Sequence, residues 1–370
     1  MLKLKNCCLD ELENLFQDKF VYGYGAGRYL DKFCFRNPQV SIERYLYQLV
    51  DRKKGQKKLG NTVIEIISME ELRKQIKPAD IILLTTSHYY MDIIEEMDSY
   101  NELDGVTCYI LPFIENNFEK CRIDWELYRC CGKETEQIPR IIHYCWFGGN
   151  EIPEKQKKCI ESWKQFCPEY EIIKWSEENY DVKKNPYVDA AYQNKKWAFV
   201  SDYARIDVVN RYGGIYLDTD VELLKPLDEL LHFSGFMGFE TWTMVNTGLG
   251  FGSVKKHVIL EKILDAYNHL QFIKASGELD LTPCPVIQTD VLEKIGLIRN
   301  NEVQELKDGF IILPTPFLCG MNFGTRKIEI TDCTYTIHHY AGSWLDDDAE
   351  GFPKRRRDAG PILLKRMREN

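Results

Sequence analysis

The chain has 370 residues, enough for two or three domains that each bury a core. Hydrophobic residues make up 44% and charged residues 28%, a globular composition, and the formal net charge of -9 argues against general nucleic-acid binding. The 13 cysteines are scattered without a C-x-x-C pair, so we expect free thiols and no zinc ribbon. No secretory signal or long apolar run stands out, and we therefore expect a cytoplasmic protein without a membrane span.

Residues 1–114 predict a small Rossmann-like α/β domain. Strand and helix patterns alternate along it, which indicates a parallel sheet. KFVYGYGAGRYL (19–30) predicts a strand, a glycine-rich turn and the start of a helix. Further strands are predicted at ERYLYQLVD (43–51), ADIILLTTS (79–87) and GVTCYILP (105–112), and further helices at 69–76 and about 89–100.

The turn GYGAGR (23–28) is an incomplete match to the dinucleotide-binding pattern G-x-G-x-x-G. Gly23 and Gly25 fit, but Arg28 holds the third position, where glycine lets the helix pack closely on the strand. Asp51 closes the second strand, where an acidic residue can contact a ribose. The stretch also resembles the small Rossmann-like domains attached to bacterial surface-polysaccharide enzymes, so nucleotide binding and a scaffolding or partner role both stay open.

The charged, cysteine-containing residues 115–137 predict a linker, and residues 138–346 a second α/β domain with mixed strands. Residues 347–370 predict a basic tail or helix. Its basic run at 354–357 allows two interpretations, a solvated terminal helix or weak attachment to an anionic membrane surface.

Two aspartates, Asp218 and Asp220, stand one residue apart in RYGGIYLDTDVELLKP (211–226). We predict that they end a strand, where residues i and i+2 point to the same face and the two carboxylates project together. A divalent cation would cancel their repulsion, because Mg²⁺ and Mn²⁺ take hard oxygen ligands and keep positions open for phosphate oxygens. The pattern predicts a metal site, against the alternative of two surface acids at a strand end.

Upstream, Asp202 and Arg205 are spaced i, i+3 in WAFVSDYARIDVVNRYGG (197–214), within a region that predicts one long helix or two shorter ones. As an exposed pair they would contribute about 0.2–0.5 kcal/mol. Their apolar neighbours indicate burial instead, and a buried charged pair can grip hydroxyl and phosphate groups.

Three separated motifs carry a family resemblance: IPRIIHYCWFGG (138–149), SDYARIDVVNRYGGIYLDTDVELLKP (201–226) and HHYAGSW (338–344). In this order they resemble the glycosyltransferases with a DXD sugar-binding region, which include capsular-polysaccharide sugar transferases and initiating mannosyltransferases, and more distantly the clostridial glucosylating toxins. The resemblance implies a GT-A type fold, a nucleotide-sugar-binding mixed sheet with helices on both faces. It also implies a Mn²⁺ or Mg²⁺ ion and transfer with retention at the anomeric carbon.

The resemblance also implies roles for single residues. Asp218 would face the ribose and metal shell, and Asp220 would ligate the ion. Successive strand residues face opposite sides, so at most one of His338 and His339 points at the ion, and the resemblance favours His338 as the third ligand. The implied donor contacts are Asp202 and Arg205 at the sugar, Trp146 at the nucleobase, Asn246 at the sugar or acceptor, and Ser343 and Trp344 over the diphosphate.

The segment CPVIQTD (284–290) resembles a Gly-Pro-containing segment near the acceptor in that family. Cys284 stands where the family usually has glycine. Gln288, Thr289 and Asp290 either contact the acceptor or serve the start of a helix.

The sequence therefore predicts an enzyme, a metal-dependent retaining hexosyltransferase with a nucleotide-sugar donor and a glycan or lipid-linked saccharide acceptor. We expect it in capsular or lipopolysaccharide synthesis, in the cytoplasm or at the inner face of the cell membrane. No nucleophile is marked, so we expect a front-face route in which the leaving phosphate oxygen takes the acceptor proton. The alternatives are a protein-modifying glycosyltransferase, a non-catalytic nucleotide- or glycan-binding module, and an NAD-dependent oxidoreductase unit at the N-terminus.

Overall fold

The computed structural model describes residues 1–37, 40–86, 89–115, 117, 123–241, 244–322, 325–341 and 351–369, except for the side chains of 36 and 351–358. Its contacts divide the chain into two compact units. The first comprises Met1–Lys120, Asn322–Lys327 and Asp347–Asn370, and the second comprises Cys121–Met321 and Ile328–Asp346. The C-terminal segment thus groups with the first unit.

The first unit is built on a sheet with strand order β1-β7-β6-β2-β3-β5-β4. The strands are β1 (Lys3–Lys5), β2 (Val21–Tyr24), β3 (Leu46–Val50), β4 (Gly55–Leu59), β5 (Thr62–Ile67), β6 (Ile81–Leu84) and β7 (Thr107–Ile110). The helices are α1 (Leu12–Phe16), α2 (Arg28–Arg36), α3 (Met69–Gln75), α4 (Tyr90–Asp98) and α5 (Leu111–Ile114). All neighbouring strands are parallel except β4 and β5, which confirms the predicted parallel α/β architecture.

The glycine-rich turn after β2 is held by its own neighbours. Gly25 has φ +112°, a conformation that favours glycine, and the Thr85 hydroxyl donates to its carbonyl at 2.7 Å. The Asp51 carboxylate accepts from the Ala26 amide at 2.9 Å. The acid predicted to contact a ribose therefore caps the backbone of the turn.

The second unit contains a mixed sheet of order β14-β15-β12-β13-β10-β8-β9 and a separate antiparallel pair, β11 and β16. The strands are β8 (Ile141–Cys145), β9 (Glu171–Trp175), β10 (Gly214–Tyr216), β11 (Val221–Leu223), β12 (Gly235–Gly238), β13 (Phe251–Ser253), β14 (Gln304–Glu305), β15 (Phe310–Leu313) and β16 (Thr336–His338). The helices are α6 (Trp125–Cys131), α7 (Glu154–Phe166), α8 (Pro186–Gln193), α9 (Trp197–Tyr212), α10 (Val258–Asn268), α11 (Cys284–Glu293) and α12 (Thr315–Leu318). Helix α6 lies where the sequence predicted a linker.

Helices cover both faces of this sheet. Along β15, Phe310 and Ile312 join the apolar cluster that contains α9 and α10 side chains. Ile311 and Leu313 point the other way, into the cluster that contains Trp163 of α7. The predicted mixed sheet with helices on both faces is confirmed, and the region expected to hold one or two helices has two, α8 and α9.

The chain ends in α13 (Gly351–Glu369), which belongs to the first unit. Its Ala359 and Leu363 are buried in the same cluster as Leu4, and Arg366 donates to Asp98 at 2.9 Å. No helix among the described residues is long and apolar enough to span a membrane.

A buried histidine, His143 of β8, links β9 to the residue that precedes β10. The His143 Nε2–H of β8 donates to the Gly213 carbonyl at 2.8 Å, and the Trp175 indole N–H donates to His143 Nδ1 at 3.1 Å. Burial lowers the pKa of His143 to about 4, and the two hydrogen bonds use both nitrogens of the neutral ring.

We predict that His143 makes the protein less stable as the pH falls from about 6.5 to 4. The unfolded chain takes up a proton in this window and the folded chain does not, which costs roughly 3 kcal/mol in unfolding free energy. Urea denaturation at pH 7, 6, 5 and 4 should show a shallower pH dependence for His143→Gln than for the parent. A matching change at His269, whose side chain is 76% exposed, should keep the parental slope. Parallel curves for all three proteins would contradict this account.

Candidate active site

The two aspartates and one histidine meet at the end of β10. Candidate ligand atoms of Asp218, Asp220 and His338 all lie within 4.8 Å of one another. Asp218 and Asp220 occupy the connection between β10 and β11, and His338 is paired with Val221 across the β11–β16 ladder. Three side chains from two distant parts of the sequence therefore share one small volume.

The prediction that both aspartates stand on a strand is wrong. Strand β10 ends at Tyr216, and the Val221 amide donates back to the Asp218 carbonyl at 3.0 Å, which closes a tight turn. The carboxylates are brought together by this turn rather than by the two-residue period of a strand.

The Asp220 carboxylate is held in its charged form. Burial would raise its pKa, but His338 Nε2, 3.3 Å from Oδ1, and the Ala341 amide, 2.7 Å from Oδ2, together hold the pKa below its usual range. Burial alone would lower the pKa of His338, yet the Asp220 carboxylate outweighs it and raises that pKa. His339 contacts Glu222 instead, at 2.8 Å.

The Asp218 carboxylate is held by Tyr216 and Arg205. The Tyr216 hydroxyl donates to Oδ1 at 2.9 Å, and Arg205 Nη2 lies 3.2 Å from the same atom. Burial nevertheless raises the pKa of Asp218 against the pull of Arg205. A cation beside this carboxylate would favour its charged form.

The expected helical pair is present on α9, where Arg205 Nη2 lies 3.0 Å from Asp202 Oδ1. Both residues are buried. Burial raises the pKa of Asp202 to about 6, although Arg205 lowers it. Arg205 also donates from Nε to the Ser201 carbonyl at 3.2 Å, so its guanidinium is fixed between Asp202 and Asp218.

Asn246 lies beside this pair. Two of its neighbours, Gly248 and Glu240, were not predicted as site residues from the sequence. A Cβ on Gly248 would lie 2.7 Å from Asp218 Oδ2 and 3.2 Å from Arg205 Nη1, so only glycine fits there without displacing a site residue. Glu240, at the end of the stretch FMGFE, accepts from Asn246 Nδ2 at 2.7 Å. An acid directly after an apolar strand was the available sequence signal for Glu240.

The segment CPVIQTD (284–290), predicted to lie near the acceptor, makes hydrogen bonds to the residues on either side of Asn246. The Gln288 side chain donates to the Thr247 hydroxyl at 2.8 Å, and the Thr289 hydroxyl accepts from the Val245 amide at 3.0 Å. Gln288 and Thr289 are fully buried, so their side chains hold the segment around Asn246 in place. Cys284 contacts Asn246 Oδ1 at 3.9 Å, whereas Asp290 pairs with Arg299 at 2.9 Å.

Of the remaining predicted residues, the structure describes Trp146. Trp146 directly follows β8, is partly buried, and donates from its indole N–H to the Asn150 carbonyl at 2.6 Å. Ser343 and Trp344 lie outside the described residues.

The geometry defines a protein with a compact acidic site suited to a cation, next to a buried ion pair that can bind polar groups. Residues 153–237 match the family model described as "Glycosyltransferase sugar-binding region containing DXD motif". The match includes Asp202, Arg205, Asp218 and Asp220, and it confirms the resemblance predicted from the sequence.

Curated relatives agree with the family match. "Inositol phosphoceramide mannosyltransferase 3" of Schizosaccharomyces pombe is 31% identical, over 42% of this chain and 44% of that protein. "Mannosyl phosphorylinositol ceramide synthase SUR1" of Saccharomyces cerevisiae is 29% identical, over 37% of this chain and 36% of that protein. The chain thus spans less than half the length of these relatives.

Among solved structures, "PaToxG Glycosyltransferase" matches with 21% identity and a TM-score of 0.35, covering 46% of this chain and 73% of that one.

We predict that Gly248→Ala weakens Mn²⁺ binding at least tenfold. The new methyl group would press on Asp218 Oδ2, which Tyr216 and Arg205 prevent from moving freely. Gly132→Ala is the control, because a Cβ there meets its nearest atom at an ordinary 3.6 Å. Calorimetric Mn²⁺ titration of both variants checks the prediction, and equal affinities would contradict it.

Proposed function

We propose that the chain is a divalent-metal-dependent glycosyltransferase that moves a sugar from a nucleotide-sugar donor to a saccharide or lipid-linked acceptor. The observation that carries the proposal is the convergence of Asp218, Asp220 and His338, whose candidate ligand atoms lie within 4.8 Å of one another. Two carboxylates and an imidazole form a donor set that suits Mn²⁺ and also accommodates Mg²⁺.

The charge balance of the site supports a cation. In the described part of the chain, Asp202 and Asp218 share the guanidinium of Arg205, and Asp220 forms an ion pair with the His338 imidazole. A divalent ion between Asp218 and Asp220 would offset their repulsion and replace the proton on His338.

In the proposed mechanism, Asp218, Asp220 and His338 would hold a Mn²⁺ or Mg²⁺ ion, which would supply neutralisation of the charge on the leaving diphosphate. Arg205, fixed by Asp202 and by the Ser201 carbonyl, presents a preorganised guanidinium to donor oxygens.

Retention is part of the proposal and rests on the family resemblance. The bond from the anomeric carbon to the phosphate oxygen breaks, the acceptor oxygen bonds to that carbon on the same face, and the departing phosphate oxygen takes the acceptor proton. Isolation of a covalent glycosyl–enzyme adduct would contradict this front-face route.

The acceptor class is proposed from the relatives' names. Both curated relatives are named for inositol phosphoceramide or phosphorylinositol ceramide, which favours a glycolipid acceptor over the capsular polysaccharide predicted from motifs. Both acceptor classes are therefore tested in the same transfer assay. A cytoplasmic location at the inner face of the membrane remains part of the proposal.

A ligand screen tests the function directly. UDP-, GDP- and CMP-sugars are added with Mn²⁺, and the thermal midpoint of the protein is measured with and without EDTA. Binding at 100 times the dissociation constant adds about 2.7 kcal/mol to the stability of the folded state. The donor that stabilises the protein is then assayed for transfer to inositol phosphoceramide and to a surface oligosaccharide. Absence of stabilisation by every sugar would exclude the proposal.

We predict that Asp220→Asn lowers transfer at least about a hundredfold, because the lost ion supplies several kcal/mol of transition-state stabilisation. Asparagine can still accept from the Ala341 amide, so the thermal midpoint without metal should stay within a few degrees of the parent. Steady-state kinetics and a melting curve check both parts. Near-parental turnover in the variant would count against the metal site.

We predict that Mn²⁺ binds more tightly as the pH rises from 6 to 8. The Asp220 carboxylate raises the pKa of His338 and so favours its protonated ring without metal, and binding must release that proton. Calorimetry in buffers of different ionisation enthalpy measures the release. His338→Asn should lose the pH dependence, whereas His339→Asn should keep it, because His339 pairs with Glu222. A Kd that is equal at pH 6 and 8 in the parent would refute the assignment of His338.

A further inference from the structure

Glu240 is a buried acid beside the donor-binding residues. It follows β12, its Oε1 accepts from Asn246 Nδ2 at 2.7 Å, and its charge acts on His338. A buried carboxylate so close to a sugar site costs free energy unless it is hydrogen-bonded. Its contact with Asn246 indicates what the acid does there.

The orientation of the Asn246 amide is settled by two partners. The Gly248 amide can only donate, and it lies 2.7 Å from Asn246 Oδ1, which leaves Asn246 Nδ2 to donate to Glu240 Oε1 at 2.7 Å. The backbone on either side is fixed as well, because Thr289 binds Val245 and Gln288 binds Thr247. Asn246 is therefore held in one position from its backbone to its amide.

This arrangement determines what Asn246 can offer a ligand. Within the described part of the chain, Oδ1 accepts from Gly248 and the Cys284 thiol, and one Nδ2 hydrogen goes to Glu240. The second Nδ2 hydrogen has no protein acceptor there. Gly248, the partner of this amide, lies close to Asp218 and Arg205. The unused N–H is therefore available near the residues proposed to bind the donor sugar.

We propose that Glu240 is a positioning residue, which orients the Asn246 amide so that its remaining N–H meets an oxygen of the donor sugar. The inference rests on the proposed function and deepens it. Glu240 itself touches neither the sugar nor the metal ligands in this account, and it acts through Asn246.

Variants at both positions test the proposal in the full chain with Mn²⁺ and the stabilising nucleotide sugar. Glu240→Ala should lower kcat about a hundredfold, as a misplaced substrate contact does, with the Kd for Mn²⁺ and for the free nucleoside diphosphate within threefold of the parent. Glu240→Gln keeps an acceptor oxygen and should stay within fivefold of parental kcat. In an Asn246→Ala background, Glu240→Ala should have no further effect on kcat.

A swapped pair separates positioning from simple structural support. Asn246→Asp places two carboxylates in contact and should lower the thermal midpoint, and adding Glu240→Gln restores a donor–acceptor pair of the same total charge. The double variant should recover the midpoint but not kcat, because the carboxylate introduced by Asn246→Asp has no N–H for the sugar. Glu229→Ala, which removes an acceptor of the Tyr335 hydroxyl elsewhere in the unit, is the control and should leave kcat unchanged.

The outcomes distinguish the two claims. If the parent turns over none of the sugars, the proposed function fails and the inference fails with it. If the parent is active, the inference alone is overturned by parental kcat in Glu240→Ala, by equal losses in Glu240→Gln and Glu240→Ala, or by recovery of kcat in the swapped pair. If Glu240→Ala does not fold, the Glu240→Gln and swapped-pair results still decide the question.

Discussion

A surplus of negative charge in a small, largely buried volume is the constraint on which the second unit's site depends. Among the described residues, three acids make ion-pair contacts with one guanidinium and one imidazole. The acids are Asp202, Asp218 and Asp220, and their partners are Arg205 and His338. Buried like charges destabilise a fold unless they are compensated. Arg205 and the His338 imidazole meet part of this demand, and the proposed metal ion would meet the rest.

The scaffold around these acids is rigid where the chemistry requires it. Helix α9 presents Asp202 and Arg205 from one side, and the turn after β10 presents Asp218 and Asp220 from another. The short β11–β16 ladder brings His338 to the same point. The site residues are carried by three different elements, so the site forms only when the whole unit has folded, which suits a preorganised catalytic centre.

Much of this could be predicted from the sequence, because the signals are local. The apolar periodicity around Asp202 and Arg205 indicates a buried helix, and the short apolar runs indicate strands. The turn after β10 was missed because a strand and a tight turn share the same apolar entry, and only the Val221–Asp218 hydrogen bond distinguishes them. Glu240 was missed because its partner Asn246 returns to it only through the antiparallel bridge between Phe239 and Val245. The side chains of Gln288 and Thr289 bind backbone and a neighbouring hydroxyl, which the local sequence pattern does not reveal.

The central claim is that Asp218, Asp220 and His338 hold a single divalent ion. Anomalous diffraction from crystals grown with Mn²⁺ and a nucleoside diphosphate, recorded on both sides of the manganese absorption edge, tests it most directly. The account predicts one strong manganese peak within about 2.5 Å of a side-chain atom of each of the three residues. A well-ordered nucleotide in the cleft with no manganese peak beside these residues, or with the peak at a different set of ligands, would contradict it.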